Sequence, residues 1–145
     1  MSQSASTEPN RSYFLATISG LAAAASMAML WAIVAVHGTG FMLVMPLFTA
    51  LAVAFALGLH GVRGGVVAST MAVLLTLLAT ASAVTLTVGV RMAIHFRMEL
   101  LQVLEAMGAD MIWAIWRARQ DWLGDGLILA GLALAAWLAG RRPRP

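Results

Sequence analysis

The chain predicts an all-α integral membrane bundle: four transmembrane helices, with an amphipathic helical segment between the third and the fourth. Three observations carry this expectation. Of 145 residues, 61% are hydrophobic and only 10% charged, against about 45–50% and about 25% in soluble domains. Runs without a single charge recur at lengths that match a hydrocarbon core of about 30 Å. The charges gather at the ends of those runs and in one segment, 91–125. Such a chain cannot cover itself with polar surface, and lipid is the solvent that removes the conflict, provided that helices satisfy the backbone internally.

Residues 1–11 form a polar tail rich in Ser, whose composition predicts disorder. The first span is expected over 13–36. A cleaved signal peptide is the rival, because Ser26-Met27-Ala28 mimics a small-x-small cleavage site. Signal cores run about 7–15 residues, however, and this run continues through Trp31. A short uncharged turn from His37 to Gly40 makes the second run, 41–59, an antiparallel neighbour of the first. Pro46 lies inside that run, so a kink that frees the Met42 carbonyl is expected, tolerable near the helix start.

The connection over 60–65 is rich in Gly and holds Arg63. It lacks the spacing of a P-loop or dinucleotide fingerprint and reads as a tight turn facing the headgroups rather than a phosphate-binding nest. The third span, 66–90, carries Ser69, Thr70, Thr76, Thr80, Ser82, Thr85 and Thr87. Hydroxyls of this kind pack between helices or bond back to their own, and the same residues would line a water-filled path.

From Arg91 to Asp125 the character changes. Centred charges cost about 2.5–3.5 kcal/mol each on insertion scales, so this segment is not a simple span. Arg91, His95, Glu99, Gln102 and Glu105 recur at helical steps and predict one polar stripe on an interfacial helix over 91–107, with Ile94, Met98, Leu101 and Leu104 away from it. A second interfacial helix is expected over 110–121, with Trp113, Trp116 and Trp122 at headgroup level. The last run, 127–139, spans only about 20 Å and crosses if 122–126 extend it. Trp137, Arg141 and Arg142 would anchor its far end, within a basic tail over 141–145.

All nine basic residues are arginines set at the edges of runs or in the C-terminal cluster. That placement predicts topology determinants rather than nucleic-acid contacts. With four spans, Arg11, Arg63, Arg141, Arg142 and Arg144 share a side, and both termini are expected in the cytoplasm of a bacterial inner membrane. If the last run does not cross, the orientation flips.

Chemistry is sparse. Cysteine is absent, so there is no disulfide, thiolate metal site or cysteine nucleophile. His37 and His60 bracket the second helix about 30 Å apart and cannot share a metal; His37 and His95 share a side, but no metal set or cofactor motif is formed. The polar stripe is the one place where acid–base chemistry is conceivable, and a solvated helix face explains it more simply. Small residues at four-residue spacing, such as Ala16, Gly20, Ala24, Ala28 and Ala32, Ala50, Ala54 and Gly58, or Gly131, Ala135 and Ala139, predict close helix contact in a bundle or an oligomer. The expected function is non-enzymatic and cofactor-free: an accessory, scaffold or protective partner that touches lipid and another membrane protein or itself. The alternative is a small oligomeric transporter or channel using the Thr-lined third helix.

Overall fold

A computed structural model describes residues 9–37, 44–60, 64–119 and 122–141, without the side chains of residues 9–12, Trp116 and Arg119. Of the expected disordered tail, residues 1–8 lie outside the described residues, while Pro9, Asn10 and Arg11 already belong to the first helix; the basic residues after Arg141, Arg142 among them, also lie outside the described residues. The regular elements are all helical: α1 (Pro9–His37), α2 (Met45–Leu59), α3 (Val66–Phe96), α4 (Leu100–Ala106), α5 (Ala109–Arg119) and α6 (Trp122–Gly140). Three helices are long and apolar enough to cross a membrane, over Tyr13–His37, Val66–Phe96 and Trp122–Gly140.

Four helices form a ring in which α1 touches α2 and α3, α6 touches α2 and α3, and α2 meets α3 across the middle. Their directions alternate. Ser19 near the start of α1 reaches the Ala56 carbonyl near the end of α2. Gly131 of α6 meets Pro46 at the start of α2, and Gly140 meets Ser69 at the start of α3.

The ring is filled with small side chains. Ala16, Ala24, Ala50, Ala72, Ala79 and Ala135 are buried with Val53, Leu57 and Leu75, while Phe14, Met29, Phe55 and Leu74 point outward. In water this arrangement would be inverted; between membrane helices it is expected, because backbones approach closely where side chains are small and lipid solvates the large ones. Gly131 shows how close the approach is: a Cβ there would stand 2.9 Å from the Pro46 carbonyl oxygen. The ladders of α1 and α6 are buried throughout. In α2 the inward face is Met45, Pro46, Thr49, Ala50, Val53, Ala56 and Leu57; of its ladder Ala50 is buried, whereas Ala54 and Gly58 sit half-buried at the edge.

Two expectations are corrected. α2 begins at Met45, so Pro46 occupies the first turn, where the missing N–H has no helical acceptor to lose and no kink follows. α2 therefore has 15 residues, a length of about 22 Å, and is the short helix of the ring. α6 takes in 122–126, the extension on which a crossing depends, and reaches 19 residues. α3 does not end near Val90 but runs on to Phe96, taking Arg91 and His95 with it.

Candidate functional site at the end of the third helix

The polar residues singled out in the sequence meet where α3 ends. Arg91 is half-buried, and its guanidinium donates a hydrogen bond of 2.8 Å to the Ala35 carbonyl. Ala35 lies in the last turn of α1, where carbonyls have no partner within the helix and the helix dipole is negative. The arginine thus closes the end of α1 from a neighbouring helix, and its charge lies close to the boundary where α1 terminates. In a low-dielectric surrounding an orphan carbonyl is costly, which explains an arginine in an otherwise uncharged helix.

α3 stops by a backbone turn. Arg97 adopts the left-handed conformation, φ 54° and ψ 39°, and its N–H returns to the Ala93 carbonyl. The Met98 N–H bonds to the same carbonyl at 3.1 Å, a Schellman-type closure with arginine where glycine is usual. The single helix expected over 91–107 is therefore two: α3 carries Arg91 and His95, and α4 carries Gln102 and Glu105, with Glu99 at its start in extended conformation. The stripe is broken between His95 and Gln102. Periodicity counted across the reversal continued by coincidence, since the count carries no term for the turn.

α4 buries Val103 and Met107 against Val88, with Met92, Ala93, Ile112 and Ile115 around them. Gly89 lets Leu100 and Leu104 settle closely on α3: a Cβ there would meet the side-chain end of Leu104 at 2.8 Å and that of Leu100 at 3.2 Å, so those two leucines would have to turn aside. His95, Glu99, Gln102 and Glu105 remain exposed. His95 packs edge-on against Phe96, with ring centroids 5.1 Å apart. His37 is turned to its own helix, Nδ1 lying 2.8 Å from the Ile33 carbonyl oxygen. Among the described residues no group of three or more His, Asp or Glu is placed to hold a metal ion.

The tryptophans divide. Trp113 is exposed on α5 with the Arg117 guanidinium 5.4 Å from its ring centre. Trp122 opens α6 and is exposed. Trp137, at the other end of the ring, carries Arg141 at 3.5 Å from its ring centre. The Trp116 side chain lies outside the described residues. The Gly-rich turn also closes a helix: the Gly64 N–H donates to the Ala139 carbonyl at 2.8 Å, and Ser69 Oγ donates to the Ala136 carbonyl at 3.0 Å. Gly64 and Gly65 hold φ of 81° and 92°, which only glycine adopts without strain.

The hydroxyls of the third helix face two ways. Thr70 is exposed and bonds back to the Val66 carbonyl. Thr76 and Thr80 are buried in the ring and donate to the carbonyls of Ala72 and Thr76, and Thr49 of α2 donates to Met45. Thr87 is buried too, yet its Oγ1 has no hydrogen-bond partner. Sequence reasoning missed the carbonyl closures by Arg91 and Gly64 and the docking role of Gly89. A lone glycine late in an apolar run was the only local signal.

Fold and site together define a protein that is helical throughout the described residues, with three helices of membrane-crossing length and two short consecutive helices lying against the end part of one of them. No protein-family model, no curated protein and no solved structure matches this chain.

Proposed function

We propose that the chain is a small multi-pass protein of a bacterial inner membrane, crossing it four times, with both termini in the cytoplasm. It acts without enzymatic chemistry, as an accessory, scaffold or protective partner of another membrane protein. The observation that carries this reading is the use of the charge at Arg91. The one charged side chain of α3 is bound to a helix carbonyl, and the ring is filled mainly with small side chains, its buried Thr49, Thr76 and Thr80 bonding back to their own helices. Ion-coupled transport normally needs titratable groups near the midplane; a protein working through its outer surface does not.

The test has two arms. Ser2→Cys, Asp110→Cys and Pro145→Cys variants are labelled from either side of intact cells; the first and last react from one side and Asp110→Cys from the other. Labelling of Ser2→Cys and Pro145→Cys from opposite sides would remove the four-span reading. Purification in mild detergent then returns a reproducible membrane partner in fixed ratio. A protein that is monomeric and alone at every expression level overturns the accessory role.

A small oligomeric transporter or channel keeps one observation in its favour, the buried and unpartnered hydroxyl of Thr87. Solute or ion flux in vesicles above empty controls, lost on Thr87→Val, would promote it.

A further inference from the structure

Among the described residues, α4 and α5 each touch α3 and none of the other three helices of the ring, and α3 is the common support on which both lie. They lie on its flank, because Val84, Val88 and Met92, which meet them, are about 100° around the helix from Ala83, Thr87 and Arg91. Leu100 and Leu104, one turn apart, both close on Gly89, so α4 crosses α3 rather than running along it. The two helices leave apolar side chains open: Leu101 at 67% exposure, with Met98, Met111 and Trp113.

Two tryptophan–arginine pairs fix their height. Trp137 with Arg141 stands beside the start of α3, since Gly140 meets Ser69 there. Trp113 with Arg117 follows Ile112, which packs on the cluster of Val88, Val103 and Met107. From Ser69 to Val88 a helix rises about 29 Å, and the hydrocarbon core of a bilayer is about 30 Å thick. Aromatic rings backed by arginine belong at the two headgroup boundaries.

We infer that the open face of α4 and α5 is covered by the lipid of one leaflet. The two helices lie across α3 at the boundary between headgroups and acyl chains, with Leu101 and Met111 among the chains, Trp113 at the boundary beside Arg117, and Gln102 and Asp110, each about 100° around its helix from the apolar neighbour, among the headgroups. Their open face continues the lipid-facing flank of the ring, and the molecule is broader in that leaflet than the four-helix ring alone. This rests on the bundle spanning a bilayer, as proposed above.

The chain has no cysteine, so spin labels are placed singly at Leu101→Cys, Met111→Cys, Gln102→Cys and Asp110→Cys, with Phe55→Cys and Leu74→Cys as mid-bundle controls. The protein is reconstituted in phosphatidylcholine–phosphatidylglycerol vesicles. Labels at 101 and 111 relax several-fold more with oxygen than with a water-soluble nickel chelate, and labels at 102 and 110 reverse the ratio. Nickel preference at 101 and 111 overturns the inference by placing α4 and α5 in water. Exclusion of both reagents, with dipolar broadening that disappears on dilution with unlabelled protein, overturns it in favour of a second copy. If the controls also prefer nickel, the spanning reading itself fails; if they prefer oxygen while 101 and 111 do not, only the inference about α4 and α5 does.

Discussion

Arg97 holds a backbone conformation, φ 54° and ψ 39°, that places its Cβ against a carbonyl and costs an L-residue about 1 kcal/mol or more relative to glycine. Replacing it by glycine should raise stability by about 1 kcal/mol. Arg97→Val should lower it, as read from reversible unfolding in mixed detergent micelles. Arg91 makes the opposite kind of contribution. Its bond to the Ala35 carbonyl joins a charged donor to an orphan acceptor, so Arg91→Leu should destabilise by about 1.5–3 kcal/mol. Arg91→Lys should recover part of the loss. A leucine variant as stable as the native chain would show that the carbonyl finds another partner.

The elements of the ring depend on glycine and alanine at particular contacts. A Cβ on Gly131 would stand 2.9 Å from a backbone oxygen and 3.1 Å from a backbone carbon of Pro46, atoms that move only if α6 and α2 separate. Gly131→Ala should therefore cost about 1–3 kcal/mol. Gly126, on the same helix, has nothing within 4 Å, and Gly126→Ala should stabilise by up to about 1 kcal/mol from helix propensity alone. The same unfolding measurement separates the two. The α4–α5 segment is a smaller unit, held on α3 through Val103 and Met107. Val103→Asp should release it without opening the ring, so trypsin should cut at Arg97 and Arg117 many-fold faster while the helical content of the four long elements persists. An unchanged cleavage rate would mean that the segment is held by more than this contact.

For the molecule as a whole, the deciding feature is an interior of small residues beneath a surface of large apolar ones. Phe14, Met29, Phe55, Leu74 and Leu129 all stand more than half exposed, and they are distributed around the ring rather than on one face. A continuous apolar exterior of this kind far exceeds the patches of a few hundred Å² seen on soluble proteins. The chain should be monodisperse in detergent or lipid discs and should aggregate when they are withdrawn, as followed by size-exclusion chromatography. A single sharp monomer peak in plain buffer would refute the membrane assignment from which the orientation, partner and lipid proposals follow.

Composition and the long uncharged runs determined that the chain is helical and suited to lipid, because burial of the backbone in hydrocarbon leaves few structures and run length reports helix length directly. The four-residue ladders of α1 and α6 identified their inner faces, since small side chains matter only where another backbone comes close. Tertiary structure decided the rest. A helix end made by Arg97 carries no glycine to announce it, so the stripe through His95 and Glu105 read as continuous although the chain reverses within it. Which carbonyl Arg91 would close depended on α1 ending beside residue 91 of α3, a relation between segments far apart in the chain. Local pattern records what each residue prefers along its own helix; which helix ends stand side by side is set by packing, and at this site packing placed the charge.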